Sequence, residues 1–169
     1  MLDRRQLLTL LLIAITAGAW AYIIGPTINY LQYYSALEQV SVEITRMTVN
    51  STDSAVEVSL NFAVSNPTSY LGLQFDGVIY QARLPNGSYS PVIGVGSADV
   101  GGPVVLKAYE SVSLHGSFVL TGLGMTQFEE TCQARNRILI WSVNTSLDLS
   151  TRNGDIIHQF EIPVTTTGC

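Results

Sequence analysis

Charge is scarce in this sequence: charged residues make up 12% of its 169 positions, roughly half the share of an ordinary soluble domain. Lys107 is the sole lysine, and beyond the first segment ~6 basic residues face ~12 acidic ones. No basic stripe exists to displace counterions from phosphates, so nucleic acid is excluded as a partner. Histidine is nearly as rare. His115 and His158 stand apart without clustered carboxylates, which excludes a zinc or iron centre of that type. Neither of the two cysteines, Cys132 and Cys169, has a neighbouring histidine, so a thiolate nucleophile is not expected. Phosphate loops, nucleophile elbows, dinucleotide fingerprints and the D-x-D-x-D calcium pattern are all missing. Glu129 and Glu130 are adjacent, and neighbours on a helix point apart rather than sharing a site. The aspartates Asp53, Asp76, Asp99 and Asp155 are expected at turns. The expectation is a protein without catalytic residues, cofactor or metal.

The missing charge is concentrated in one place. No charged residue occurs between Arg5 and Glu38. Leu7 to Ile24 is an apolar run of ~18 residues, which as a helix covers ~27 Å, close to the ~30 Å of a bilayer's hydrocarbon. A helix is also the form that satisfies its own backbone in lipid. Arg4 and Arg5 precede the run, while Trp20, Tyr22, Tyr30, Tyr33 and Tyr34 gather at its far end. The positive-inside rule then puts the N-terminus in the cytoplasm and the remainder outside. Residues 1–26 are expected to be a cytoplasmic tip and transmembrane helix, broken or kinked at Gly25-Pro26. Residues 27–39 would be a short helical stalk and 40–169 an extracytoplasmic domain. The alternative is a cleaved signal peptide ending at Ala17-Gly18-Ala19, against which the apolar run continues to Ile24. Both readings export the domain.

From Val40 onward the hydrophobic period changes from helical to two. Val56, Val58, Leu60, Phe62 and Val64 alternate with polar or small residues and stop at Asn66-Pro67, the cleanest half-buried strand in the chain. Parity shifts predict a bulge near Arg46 and another irregularity at Asp76-Gly77. Further strands follow at Leu73 to Leu84, Tyr89 to Ala98, Val112 to Leu120, Trp141 to Leu149 and Ile156 to Val164. Gly101-Gly102-Pro103 reads as a loop, and Gly124 to Arg137 is the single helical stretch among them. About seven short strands with polar outer faces predict an all-β antiparallel sandwich.

One segment carries a family resemblance. The strand closing on Asn66-Pro67-Thr68, followed by Val78-Ile79-Tyr80-Gln81-Ala82-Arg83-Leu84, resembles the water-stress-and-hypersensitive-response domain shared with type-2 late-embryogenesis-abundant proteins. There an Asn-Pro ends one strand and a V-x-Y-x-(A/V)-x-L stretch opens the neighbouring hairpin. The resemblance implies an immunoglobulin- or fibronectin-like sandwich without enzymatic activity, with roles in stress protection or in protein or membrane interaction. It supplies no ligand-binding residue. Physically, the motif is punctuation: asparagine bonds local backbone at a strand end and proline cannot donate to the ladder.

In an exported domain Cys132 and Cys169 suggest one disulfide, closing a loop of ~37 residues worth ~3–4 kcal/mol in the chain-entropy model. It would pin a tail, Thr165 to Gly168, that otherwise frays. The open alternative is two unpaired thiols. Asn50, Asn86 and Asn144 head glycosylation sequons on the expected outer side, whereas Pro67 disqualifies Asn66. The functional expectation is a membrane-anchored interaction domain: an accessory subunit of a membrane or envelope assembly, or a stress-protective surface protein. Its partners would be the lipid bilayer and other surface proteins. The alternative is a pilin-like filament subunit, which also joins an apolar helix to a β-sandwich. A hydrolase using His115 or His158 is the third reading.

Overall fold

The computed structural model describes residues 3–52, 54–85, 90–135, 137–151 and 154–167. It opens with one 36-residue helix, α1 (Arg4–Gln39). Seven strands follow: β1 (Ser41–Ser51), β2 (Val56–Ser65), β3 (Leu73–Arg83), β4 (Val92–Leu106), β5 (Ser111–Leu120), β6 (Ile138–Thr151) and β7 (Gly154–Thr167). A second helix, α2 (Leu123–Ala134), lies between β5 and β6. All pairings are antiparallel and form two sheets, β1-β2-β5 and β4-β3-β6-β7. β4 runs beside β5 and β1 beside β7, so the open edges of the two sheets approach each other. This is the antiparallel sandwich expected from the period-two pattern, of the immunoglobulin/fibronectin-like kind that the resemblance implies, preceded by one long apolar helix.

Alternation decides which side chains enter the core. Val56, Val58, Leu60, Phe62 and Val64 of β2 are all fully buried, because residues at i and i+2 share a face. Both parity shifts are real. Thr45 is the extra residue between Ile44 and Arg46 in the β1–β2 ladder. Asp76 is the extra residue between Phe75 and Gly77 in the β3–β6 ladder, while in the β3–β4 ladder the excess lies on β4, where Val100 to Pro103 stand against Asp76 alone. Asp76 therefore sits in a strand bulge, and Asp99 lies within β4, where turns were expected.

At the centre is Tyr80 of β3. Its ring lies 5.2 Å from that of Phe62 and 6.2 Å from that of Phe118. Its hydroxyl donates to the Ser117 carbonyl at 3.0 Å, crossing from one sheet to the other. Gly96 and Gly116 face this ring from opposite strands, and a Cβ on Gly116 would stand 2.7 Å from it. Gly116 interrupts the inward set of β5 because the tyrosine occupies its space. Burial pushes the Tyr80 phenol above its usual pKa.

Two expectations need correction. Helix α1 is not broken at Gly25-Pro26, and the anticipated stalk is its unbroken continuation to Gln39. Proline removes the donor that would have bonded the Tyr22 carbonyl, and the helix runs on through it as apolar helices tolerate; beside it Thr27 Oγ1 donates to the Ile23 carbonyl at 2.8 Å. Gly101-Gly102-Pro103 is a bulge inside β4 rather than a loop. β4 pairs with β3 on both sides of it, with Asp99 opposite Gly77 and Val104 opposite Phe75. The excursion is possible because Gly101 and Gly102 take φ of 78° and 140°, which glycine adopts without a Cβ clash. Thr165 to Thr167 form the end of β7. They pair with Ile138 to Ile140, and buried Thr166 accepts a 2.9 Å bond from Trp141 Nε1.

Candidate functional site

Two regions stand out, and the first is where α1 meets the sandwich. From Leu7 to Leu31 the large apolar side chains of α1 are between 45% and 82% exposed. Along this stretch Thr9, Thr16 and Thr27 each donate to a carbonyl four residues back. Their hydroxyls are thus satisfied without water. By length and composition α1 can cross a membrane. Its last two turns change character. Tyr33, Ala36 and Leu37 are buried with Val40 in the same core as the strands, and the Tyr33 ring lies 5.8 Å from that of Tyr70.

Tyr70 belongs to the loop between β2 and β3, which Asn66 organises. Asn66 is 1% exposed. Its Nδ2 donates to the carbonyls of Tyr70 at 2.8 Å and Lys107 at 3.2 Å. Its Oδ1 accepts from the Thr68 backbone at 3.1 Å and the Thr68 hydroxyl at 2.7 Å. The side chain therefore fastens the β2–β3 loop to the β4–β5 loop, and the Tyr109 backbone donor to Thr68 adds a second tie at 3.1 Å. Local punctuation was legible in Asn66-Pro67; the bond across 41 residues was not.

The second region is the outer face of the four-stranded sheet. Ladder register places Gln81 beside Asn144 and Asn144 beside Glu161, with Ile79, Ser146 and Gln159 in the neighbouring row. They line a shallow depression of about 410 Å³. Glu161 accepts a 2.7 Å bond from Ser142. Side-chain amides donate and accept equally, so the surface can hold a polar partner by hydrogen bonds around the exposed Ile79. The signal for it lay in the polar alternate positions of β3, β6 and β7, but only strand order makes them neighbours. Nearby, Ser150 donates to Asp76 Oδ2 at 3.2 Å, while Asp76 Oδ1 and Asp148 Oδ1 are shielded and find no hydrogen-bond partner among the described residues.

The other singled-out residues scatter. Cys132 is buried on α2 and disulfide-bonded; its expected partner Cys169 lies outside the described residues, as do Asn86 and Asp53. Asn50 is exposed near the end of edge strand β1, whereas Asn144 is half-buried in the interior of β6 within the depression. His115 bonds Asn61 at 2.9 Å on the outer face of the three-stranded sheet. His158 is half-buried against Phe160 on β7. Glu129 and Glu130 are exposed on α2. Among the described residues no group of three or more His, Cys, Asp or Glu is placed to hold a metal ion.

No family model matches the chain, and no curated protein matches it. Solved structures do. A protein from Archaeoglobus fulgidus superposes with a TM-score of 0.50 at 17% identity, over 76% of this chain and 98% of that one. A protein from Arabidopsis thaliana gives 0.47 at 17% identity, over 75% and 78%. AggA, the major subunit of aggregative adherence fimbriae type I from Escherichia coli, gives 0.36 at 13% identity, over 75% and 95%. At such identities the first of these likenesses concerns the fold alone, and the two looser ones add nothing to it.

Proposed function

We propose that this chain is a single-pass membrane protein that displays a non-catalytic sandwich on the extracytoplasmic side for protein interaction. The observation that carries the reading is the unpartnered apolar surface of α1 from Leu7 to Leu31. At about 25 cal/mol per Å² of apolar area, leaving so many side chains in water is untenable. Lipid removes the cost, and the self-bonded threonines suit it. Arg4 and Arg5 at the helix start support a cytoplasmic N-terminus. The depression at Gln81, Asn144 and Glu161 is the surface offered to partners. A role as accessory subunit of an envelope assembly, or as a stress-protective surface protein of the kind the Asn66-Pro67 resemblance implies, is the finer form of this proposal.

The test uses native membranes. The full chain is expected to stay in the pellet after alkaline carbonate extraction. Protease added from outside should reach the sandwich, while the N-terminus is reached only after permeabilisation. Release of the chain by carbonate would refute the anchor. Mild-detergent capture should recover other surface proteins, and Asn144→Lys should reduce them; a chain recovered alone would refute the interaction role. Recovery as a homopolymer with α1 buried against identical helices would favour the filament-subunit alternative instead.

A further inference from the structure

We infer that the base of the sandwich rests in the outer headgroup layer of the membrane, with Leu71 and Tyr109 as its lipid contacts. This rests on the anchor reading of α1 and extends it from the helix to the domain.

The first support is position. Chain direction puts the β2–β3 loop (66–72) and the β4–β5 loop (107–110) at the end of the sandwich where α1 enters β1. Asn66 and the Tyr109–Thr68 bond tie those loops to each other, and Tyr70 ties them to Tyr33 of α1.

The second is length. From Arg5 to Tyr33 is 28 steps of helix, or about 42 Å, which matches the ~40–45 Å of a bilayer with its headgroups. A tilt of about 20° shortens it only to about 39 Å. With Arg5 among the inner headgroups, Tyr33 emerges at the outer ones, at the level of Tyr70. Burial of Ala36 and Leu37 at 0% and 5% exposure removes any free linker that could lift the domain away.

The third is the loop residues themselves. Leu71 is 67% exposed and Tyr109 is 74% exposed. Tyr109 also adopts φ of +56°, a left-handed conformation that is strained for a side chain with a Cβ. Glycine or asparagine would serve the turn more cheaply. A strained, outward-pointing tyrosine has a use at a lipid interface, where its ring sits in the apolar layer and its hydroxyl in the wet one. Between the loops, Lys107 and Glu110 pair at 3.7 Å and neutralise each other. The contact is therefore apolar and interfacial rather than electrostatic, and zwitterionic lipid suffices for it.

The experiment reads tryptophan quenching in the full chain reconstituted into phosphatidylcholine vesicles. Wild type reports Trp20 against a nitroxide deep in the acyl chains. Leu71→Trp and Tyr109→Trp, each with Trp20→Phe, report against a nitroxide near the headgroup. Val119→Trp in the same background is the control, since it is exposed at the opposite end of β5; Trp141 is buried and common to all. Both loop variants are expected to be quenched several-fold more than Val119→Trp, with no change in high salt. Loop variants quenched no more than the control, while Trp20 is quenched, would overturn the contact and leave the anchor intact. An unquenched Trp20 would overturn the anchor and this inference with it.

Discussion

Asn66 shows how one polar side chain can hold a fold's geometry. Its four principal bonds span two loops in a site closed to water. Each bond contributes about 1 kcal/mol net, and stranded buried partners cost more. Asn66→Ala is therefore expected to lower stability by about 3–4 kcal/mol, measurable as a reduced urea midpoint at unchanged slope. Tyr80 makes a second residue-scale case. Tyr80→Phe loses the bond to Ser117 and about 1 kcal/mol at neutral pH. Its phenol is raised in the fold, so above about pH 10 an unfolded chain releases that proton while the native one holds it. The stabilisation is present below that pH and is lost as pH climbs through the folded value. The wild-type advantage over Tyr80→Phe should therefore narrow in alkaline urea titrations. Gly116→Ala forces a methyl to 2.7 Å from the Tyr80 ring, and overpacking of this kind costs about 1–3 kcal/mol.

Among the elements, α1 divides its surface between two environments. Its exposed apolar length has no protein partner among the described residues, whereas Tyr33, Ala36 and Leu37 belong to the sandwich core. Burying side chains of this size contributes about 1.5–3 kcal/mol each for the large ones. A fragment beginning at Tyr30 should therefore resist urea better than one beginning at Val40, by on the order of 3 kcal/mol; equal midpoints would show that the helix end does not hold the domain. Helix α2 closes the opposite end. Phe128 sits 6.2 Å from Trp141, and Cys132, about one helical turn further along α2, is buried as well. Cys132→Ser is expected to cost about 3–4 kcal/mol if the loop to Cys169 is closed. The end of β7 should remain paired even then, because Thr166 is held by Trp141. Amide exchange at Thr165 to Thr167 would reveal it.

Across the whole molecule, the buried Tyr33, Ala36, Leu37 and Val40 join a lipid-compatible helix to a hydrogen-bonded sandwich. The proposed contact of Leu71 and Tyr109 with the membrane lies at that joint. Much of this was legible from local pattern. The β2 alternation, the bulges at Thr45 and Asp76, the helical stretch around Phe128 and the apolar run from Leu7 follow from side-chain periodicity, which is a property of the chain's own geometry. Strand number and the antiparallel sandwich follow from the same source.

Periodicity could not say what lay opposite what. Proline at 26 and the glycines at 101 and 102 are breakers by composition, yet α1 continues through the first, and β4 passes through the others because the flanking β3 ladder holds the backbone. Gln81, Asn144 and Glu161 become one surface only through the order β3-β6-β7. Local sequence determined which residues shun water and at what spacing. Tertiary packing decided their neighbours, since long-range pairing depends on the whole chain closing at once.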